Sequence, residues 1–232
     1  MESQRNHKIV IAIIPAYNEQ SMIVEVIGSL KDYVDQIIVI NDASIDQTER
    51  LACSTGAMVI NHLINRGLGA SLKTGITLAL EQGADIIITF DADGQLQATD
   101  IPKLIQPIIE QQADVVIGSR AQYRKSMPRS RRFYNWVANL ITYLFFNHWV
   151  SDSQSGLRAF SKLAAQKINL ATDRMEISSE IIGKIKQEQL RLKEISIKPI
   201  YTSYSLSKGQ SFFVGIKTFC RLFFHRLIDL PN

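Results

Sequence analysis

The chain has 232 residues, of which 46% are hydrophobic and 21% are charged, a balance that is ordinary for a globular protein. Its formal net charge is +4, but six basic residues with no acid among them lie between positions 120 and 132, so the basicity belongs to one segment. The two cysteines form no CxxC motif and the four histidines show no metal-ligand spacing, which argues against a disulfide framework or a zinc motif and fits a reducing, cytoplasmic setting.

Neither a secretory signal nor a membrane-spanning helix is predicted. The apolar run at 9–16 is short, and polar residues follow it without a cleavage pattern. The longest apolar tract covers residues 136–150 and is interrupted by Asn139, Asn147 and His148. A tract of this kind suits a buried or interfacial helix better than one that crosses a bilayer.

Strands and helices alternate along the first part of the chain. Continuous apolar, β-branched runs predict strands at 9–14, 36–40, 57–60 and 86–90. Apolar residues at near-helical spacing predict helices at 21–32, from 46 onwards and at 67–82. This order predicts an α/β fold with a central, mostly parallel sheet flanked by helices and joined by right-handed crossovers.

The strict alternation stops after a helix predicted at 100–111 and a strand predicted at 114–118. The basic segment leads into an aromatic-rich stretch, 133–150, which predicts one or two helices. A turn-rich loop at 151–156, a helix at 177–189, a strand at 192–200 and a phenylalanine-rich basic tail at 211–227 follow. Because no repeat or linker divides the chain, we expect one domain over residues 1–232, with membrane-surface elements near 130–150 and 211–228.

Polar residues follow three of the predicted strands, at 15–19, 41–42 and 91–93. Parallel α/β sheets bind their ligands at the carboxyl ends of the strands. The three polar segments are therefore expected to meet at one edge of the sheet and to form a ligand site there.

The strand at 86–90 ends in two carboxylates separated by one residue. If the backbone stays extended, Asp91 and Asp93 point to the same side, where they repel each other unless a cation lies between them. Gln95 can add a neutral carbonyl oxygen, and hard divalent cations prefer oxygen ligands. This pattern predicts a Mg2+ or Mn2+ site that holds the diphosphate of an activated substrate. The alternative is a solvated turn that closes a strand.

Five short segments in the same order resemble the family 2 glycosyltransferases of GT-A fold. They are PAYNE at 15–19, NDASID at 41–46, NRGLGA at 65–70, DADGQ at 91–95 and SGLR at 155–158. Within that family the chain most resembles the polyprenyl-phosphate hexosyltransferases, the group typified by dolichol-phosphate mannose synthase, over residues 9–208. The resemblance implies a GT-A, Rossmann-like fold.

The resemblance also implies roles for individual residues. The implied donor-binding residues are Pro15, Ala16, Tyr17, Glu19, Asp42, Gly69, Lys73 and Lys208, and Asp42 is expected to face the base or the ribose. The implied metal ligands are Asp91, Asp93 and Gln95. Asp93 and Arg120 are expected to be catalytic, and the acceptor phosphate is expected to meet Arg120, Arg129, Arg131 and Arg132.

The implied reaction moves a hexose, mannose or glucose, from GDP-mannose or UDP-glucose to a polyprenyl phosphate with inversion. A phosphate monoester has a second pKa of about 6 and needs no general base. Relatives that act on hydroxyl groups commonly carry a base after the 155–158 segment, where Glu176 and Glu180 are the only nearby acids. A glycosyltransferase acting on a saccharide hydroxyl and an inactive nucleotide-sugar or membrane-binding module remain the alternatives.

Two other classes of ligand are disfavoured by the pattern. The glycine-rich segment at 67–69 lacks the full dinucleotide fingerprint and does not follow the first strand, which argues against a nicotinamide cofactor. Aromatic residues follow the basic segment directly, and this combination favours the cytoplasmic face of a membrane over a nucleic acid.

Overall fold

The computed structural model describes residues 7–202 and Tyr204. Its centre is a seven-stranded sheet in the order β3-β2-β1-β4-β6-β5-β7. The strands are β1 (Val10–Ala16), β2 (Gln36–Asn41), β3 (Met58–Asn61), β4 (Ile86–Thr89), β5 (Val115–Ser119), β6 (Arg158–Ser161) and β7 (Leu192–Ser196). The helices are α1 (Ile23–Leu30), α2 (Thr48–Ser54), α3 (Leu68–Glu81), α4 (Ile101–Ile109), α5 (Arg129–Phe146), α6 (Lys162–Lys167) and α7 (Ile177–Gln187).

The sheet is mostly parallel, which confirms the predicted fold class. Strand β1 pairs in parallel with β2 and β4, β2 with β3, and β5 with β7. Strand β6 alone is antiparallel, and it lies between β4 and β5. The sequence did not predict this strand, because its four residues include only two apolar ones, Ala159 and Phe160.

Both faces of the sheet are covered, and β1 shows how. Ala12 and Ile14 belong to the apolar cluster on the side of α1 and α4, while Ile11 and Ile13 belong to the cluster on the side of α3 and α7. A strand buried on both faces reads as a continuous apolar run, which is why β1 was predictable from the sequence.

Helix α5 is a single helix that starts inside the basic segment, earlier than the aromatic stretch indicated. Its inner side is anchored by two buried polar residues. Thr142 shares a hydrogen bond of 2.8 Å with Ser179 of α7, and the Asn139 amide nitrogen donates to the carbonyl oxygen of Ser151 at 2.7 Å. These contacts fix the rotation of α5, so its two sides face different surroundings.

Three expectations about the second half of the chain have different outcomes. Strand β7 ends at Ser196 and not at 200. The backbone nitrogen of Ile197 still donates to the carbonyl oxygen of Ser119, and beyond this hydrogen bond the chain leaves the sheet. Among residues 7–202, no helix combines the length and the apolar character needed to cross a bilayer. The predicted surface element at 211–228 lies outside the described residues.

Candidate functional site

A cavity of about 500 Å³ opens at the carboxyl edge of the sheet, where the polar strand ends were expected to meet. It is bordered by the ends of β1, β2 and β4, by the start of α3 and by the segment before α7. The residues that line it are Pro15, Ala16, Tyr17, Glu19, Asp42, Asn65, Gly67, Leu68, Ser71, Asp91, Ala92, Asp93, Arg174, Met175 and Glu176.

The two carboxylates at the end of β4 both border this cavity, but the backbone between them is not extended. Strand β4 ends at Thr89, and Asp93 lies in a tight turn that closes at Gly94 with a φ of 73°. The Asp93 carboxylate accepts hydrogen bonds from the backbone nitrogen of Gln95 at 3.0 Å and from its side-chain nitrogen at 2.5 Å. A turn stabilised by the Asp93 carboxylate, and not strand geometry, therefore brings the two acids together.

Gln95 holds Asp93 in place and does not line the cavity. Its amide nitrogen is directed to Asp93, so its amide oxygen points away and accepts a hydrogen bond of 3.2 Å from Arg131. The structure thus brings Asp91 and Asp93 to the cavity but turns the oxygen predicted as a third metal ligand toward an arginine.

Asp91 lies in an unusual electrostatic environment. Burial, and then the negative charge of Asp93, raise the pKa of Asp91 to about 7, while Arg120 and Arg158 act in the opposite direction. Burial in turn lowers the pKa of Arg158 to about 10, although Asp91 and Asp152 favour its charged form. Arg158 belongs to the 155–158 segment, but the sequence did not predict that it would be a buried counter-charge for Asp91.

The acid pair fits a divalent cation whose remaining ligands come from the substrate. Within residues 7–202 no group of three His, Cys, Asp or Glu side chains is arranged to hold a metal ion. Mg2+ is commonly bound through one or two carboxylates together with substrate phosphates and water. Two acids that border one cavity, where the charge of Asp93 raises the pKa of Asp91, suit such an ion, since a cation removes their repulsion.

The other end of the cavity is organised by Asp42, which follows β2. One oxygen of its carboxylate accepts from the backbone nitrogen of Arg66 at 2.9 Å, and the other accepts from Gly67 at 2.7 Å. The first oxygen also lies 2.7 Å from the Nδ1 atom of His62. Asp42 therefore borders the cavity, but most of its hydrogen-bonding capacity is used to hold the loop before α3.

The remaining donor-binding predictions separate into those that border the cavity and those that do not. Pro15, Ala16, Tyr17 and Glu19 all border it. Gly69 is instead packed against the backbone of Thr172, and Lys73 donates to the carbonyl oxygen of Ala171 and to Asp173. Both therefore support the segment that closes this side of the cavity. Lys208 lies outside the described residues.

The two glutamates considered as bases occupy different places. The Glu180 carboxylate accepts hydrogen bonds from the backbone nitrogens of Ala171 and Thr172 and from the Thr172 hydroxyl. Glu176 is also buried, but it borders the cavity. Among the cavity residues, Asn65, Ser71 and Arg174 were not singled out from the sequence, although Asn65 belongs to the 65–70 motif.

None of the four predicted phosphate-binding arginines borders the main cavity. Arg120 forms a bidentate ion pair with Asp152 at 2.7 and 2.9 Å. Burial alone would raise the pKa of Asp152, but the charge and hydrogen bonds of Arg120 outweigh it, and the pKa lies below its usual value. Arg131 reaches the acid pair through Gln95. Arg129 and Arg132 border another pocket, of about 430 Å³, on the outer side of α5.

Comparison with known proteins agrees with this geometry. The family model described as "Glycosyl transferase family 2" matches residues 11–168. A UDP-N-acetylglucosamine–dolichyl-phosphate N-acetylglucosaminyltransferase of Methanococcus voltae is 39% identical over an alignment of 238 positions that covers 93% of this chain and 95% of that protein. An undecaprenyl-phosphate mannosyltransferase of Micrococcus luteus is 32% identical over 171 residues, which cover 69% of this chain and 70% of that protein.

The fold has a counterpart among solved structures. Glucosyl-3-phosphoglycerate synthase from Mycobacterium tuberculosis, solved with Mn2+, UDP and phosphoglyceric acid, aligns with a TM-score of 0.75. The alignment covers 97% of this chain and 80% of that one at 18% identity, so it supports the assignment of the fold alone. Taken with the match over residues 11–168, these findings mean that the chain belongs to glycosyl transferase family 2 and has the GT-A fold.

Proposed function

We propose that this glycosyltransferase moves a hexose from a nucleoside-diphosphate sugar to a polyprenyl phosphate at a membrane surface. The observation that carries the proposal is a single cavity with an acid pair, Asp91 and Asp93, at one end and the loop held by Asp42 at the other. Such a cavity suits a nucleotide sugar, whose diphosphate needs a cation and whose nucleoside needs a shaped pocket. The named relatives from Methanococcus voltae and Micrococcus luteus, which act on dolichyl and undecaprenyl phosphates, support the class of acceptor.

The proposed reaction is one displacement at the anomeric carbon. A phosphate oxygen of the acceptor forms a bond to that carbon while the bond to the donor's diphosphate breaks, and the nucleoside diphosphate departs with the electron pair. Inversion at the carbon follows from this geometry. A bound Mg2+ or Mn2+ would neutralise the charge that develops on the departing diphosphate. Asp91 and Asp93 would hold that ion, and Gln95 keeps Asp93 directed to the cavity.

In this reaction the acceptor phosphate would be bound by Arg131 and Arg120, since both act on the end of the site that contains the acid pair. Arg131 contacts Gln95, which contacts Asp93, and the positive charge of Arg120 acts on Asp91. Because the acceptor is already ionised at neutral pH, Glu176 has no proton to remove. In the alternative reaction, on a saccharide hydroxyl, Glu176 would be the base, and its position on the cavity is the observation that keeps this alternative in view.

The outer side of α5 supports a location at a membrane surface. Positions 129, 132, 133 and 136 are spaced by three or four residues and so share one side of the helix. Phe133 is 55% exposed and Trp136 is 50% exposed, and both border the pocket that contains Arg129 and Arg132. Cations beside half-exposed aromatic rings suit an anionic lipid surface. Arg131 lies on the other side of α5, toward Gln95.

A screen of donors tests the proposed reaction and identifies the sugar. Labelled GDP-mannose, UDP-glucose and UDP-N-acetylglucosamine are incubated with a short polyprenyl phosphate and Mn2+, and the product is extracted into organic solvent. The third donor is included because of the Methanococcus voltae relative. We expect label from one donor to enter the organic phase, and label that stays in the aqueous phase with all three would reject the proposal.

The Asp93→Asn variant connects that activity to the acid pair. We expect it to lose at least 100-fold in transfer and to lose the Mn2+-dependent part of nucleotide-sugar binding by calorimetry, since one of two metal-binding charges is removed. The turn should persist, because an asparagine oxygen can still accept from the Gln95 backbone nitrogen. Nearly normal transfer by a folded variant would exclude the metal role.

A further inference from the structure

The side chain of His62 is buried beside the residues of the donor cavity, and the sequence predicted no role for it. It directly follows β3, and its side chain is 6% exposed. One ring nitrogen, Nδ1, lies 2.7 Å from a carboxylate oxygen of Asp42, and the other, Nε2, lies 3.0 Å from the hydroxyl of Thr74 in α3. His62 does not border the cavity itself, so any effect on a ligand passes through Asp42.

With an ionised Asp42 and a neutral imidazole, the directions of the two hydrogen bonds follow from the chemistry of the groups. An ionised carboxylate can only accept, so Nδ1 carries a hydrogen and donates it to Asp42. In a neutral imidazole the second nitrogen is then an acceptor, and the Thr74 hydroxyl donates to Nε2. The result is a chain from α3 through the imidazole to the carboxylate at the end of β2.

That carboxylate sets the wall of the cavity. It accepts from the backbone nitrogens of Arg66 and Gly67, and the Asp42 carbonyl oxygen accepts from the Asn65 side chain at 3.3 Å. Gly67 directly precedes α3, with a φ of 97°, and the space of a Cβ atom there is filled by the backbone of Asp173. The hydrogen bonds of the Asp42 carboxylate and the packing at Gly67 therefore hold the start of α3 in one arrangement.

We propose that His62 is a positioning residue for the nucleoside end of the donor site, where it fixes the Asp42 carboxylate and thereby the loop at 65–67. The inference rests on the proposed function, because it assigns this end of the cavity to a nucleotide. A preformed loop does not have to be ordered when the ligand binds, so losing this order lowers affinity. The bond-forming end of the site, at Asp91 and Asp93, has no contact with His62 among the described hydrogen bonds.

Three variants separate the two hydrogen bonds of the imidazole. The amide nitrogen of His62→Asn can occupy the place of Nδ1 and keep the bond to Asp42. The longer His62→Gln side chain places its amide near Nε2, so it keeps the contact with Thr74 but loses the one with Asp42. Thr74→Val removes only the hydroxyl. Binding of UDP and of GDP to the full chain is measured by calorimetry with Mn2+, together with the thermal midpoint and, with the active donor, KM and kcat.

We expect His62→Gln to bind nucleotide about 10-fold to 100-fold more weakly, the effect of losing one hydrogen bond to a charged group. Its donor KM should rise by a similar factor while kcat changes by less than about threefold. His62→Asn should restore binding to within about threefold of wild type, and Thr74→Val should resemble it. All three are expected to lower the thermal midpoint.

The outcomes distinguish positioning from a purely structural role. If His62→Gln binds nucleotide as tightly as wild type while its thermal midpoint falls, His62 is structural only and the inference is overturned. It is also overturned if His62→Asn and His62→Gln lose the same affinity, since the bond to Asp42 then does not matter. A wild-type protein that binds neither UDP nor GDP would reject the proposed function and this inference with it.

Discussion

Gly156 lies directly against the carboxylate of Asp91, so closely that a Cβ atom at position 156 would overlap it. The backbone is held there by Thr89 of β4, whose hydroxyl donates to the Gly156 carbonyl oxygen at 2.8 Å. The 155–158 segment thus serves two purposes. It leads into β6, which completes the sheet, and it leaves room for the buried acid of the candidate metal site.

The Gly156→Ala variant is expected to displace Asp91. An added methyl group in a filled space costs about 1–3 kcal/mol of stability, and a shift of about 1 Å in a reacting group can cost about 100-fold in rate. We therefore expect transfer to fall by roughly 100-fold and Mn2+-dependent nucleotide-sugar binding to weaken.

Gly28→Ala is the matched control for that variant, because Gly28 lies in α1 with no atom within 4 Å of an added Cβ. Alanine is favoured over glycine inside a helix by about 1 kcal/mol, so this control should keep full activity and a thermal midpoint at least as high as that of wild type. If Gly156→Ala also kept its activity, the close contact between Gly156 and Asp91 would not be needed for transfer.

The two buried glutamates are expected to have different roles, which substitution by glutamine separates. Glu180→Gln should lower the free energy of unfolding by about 1–3 kcal/mol, because an amide has one acceptor oxygen for the nitrogens of Ala171 and Thr172. Glu176→Gln should leave turnover with a polyprenyl phosphate nearly unchanged. Urea denaturation and steady-state kinetics measure the two effects. A loss of about 100-fold or more in kcat for Glu176→Gln would indicate a general base and favour a hydroxyl acceptor.

The arginines of α5 provide a test that separates the membrane from the acceptor. Changing Arg129 and Arg132 together to glutamine should weaken binding to vesicles that contain phosphatidylglycerol by about 30-fold, since each cation near an anionic surface contributes about 1 kcal/mol. Arg131→Gln should leave vesicle binding unchanged but reduce turnover of a short-chain acceptor. Vesicle sedimentation and steady-state kinetics give the two readouts.

The control for this test removes two exposed cations elsewhere, Lys31 and Arg50, and so changes the net charge equally. It should bind vesicles as wild type does. Equal losses in the control and in the variant at Arg129 and Arg132 would mean that only net charge matters. If the KM for the short-chain acceptor rises by the same factor as vesicle binding falls, Arg129 and Arg132 bind the acceptor and not only the membrane.

The sequence predicted those parts of the fold and site that depend on local pattern. Strands β1, β2 and β4 are buried on both faces, and the polar residues after them meet at one edge, as expected. Contacts between distant residues were not predictable in this way. The Gln95 amide oxygen accepts from Arg131, 36 residues later, and the buried Arg158 lies where the charge of Asp91 favours its charged form.

His62 shows a different limit of pattern reading. The polar segments after β1, β2 and β4 predict a site at one edge of the sheet, whereas His62, which follows β3 at the same edge, was not included in that prediction. A single histidine has no spacing motif, so its partners, Asp42 and Thr74, become visible only when the strands are placed side by side.

The ion pair between Asp114 and Arg191 predicts how stability depends on pH. The Asp114 carboxylate accepts from the backbone nitrogen, Nε and Nη2 of Arg191 at 2.8–2.9 Å, which joins the starts of β5 and β7. These bonds, led by those from the Arg191 side chain and opposed by burial, hold the pKa of Asp114 below its usual value of 3.8.

A pKa that is lowered in the folded state stabilises the protein only while the group is ionised. Asp114→Asn should therefore reduce the free energy of unfolding by about 2 kcal/mol near neutral pH, and the difference from wild type should disappear as the pH falls from 3.8 through the lower folded-state pKa. Urea denaturation over this range measures it. Asp32→Asn, at an exposed position, is the control and should show no such difference. A difference at Asp114 that stays constant down to about pH 2 would show that the pair stabilises the sheet without any linkage to ionisation.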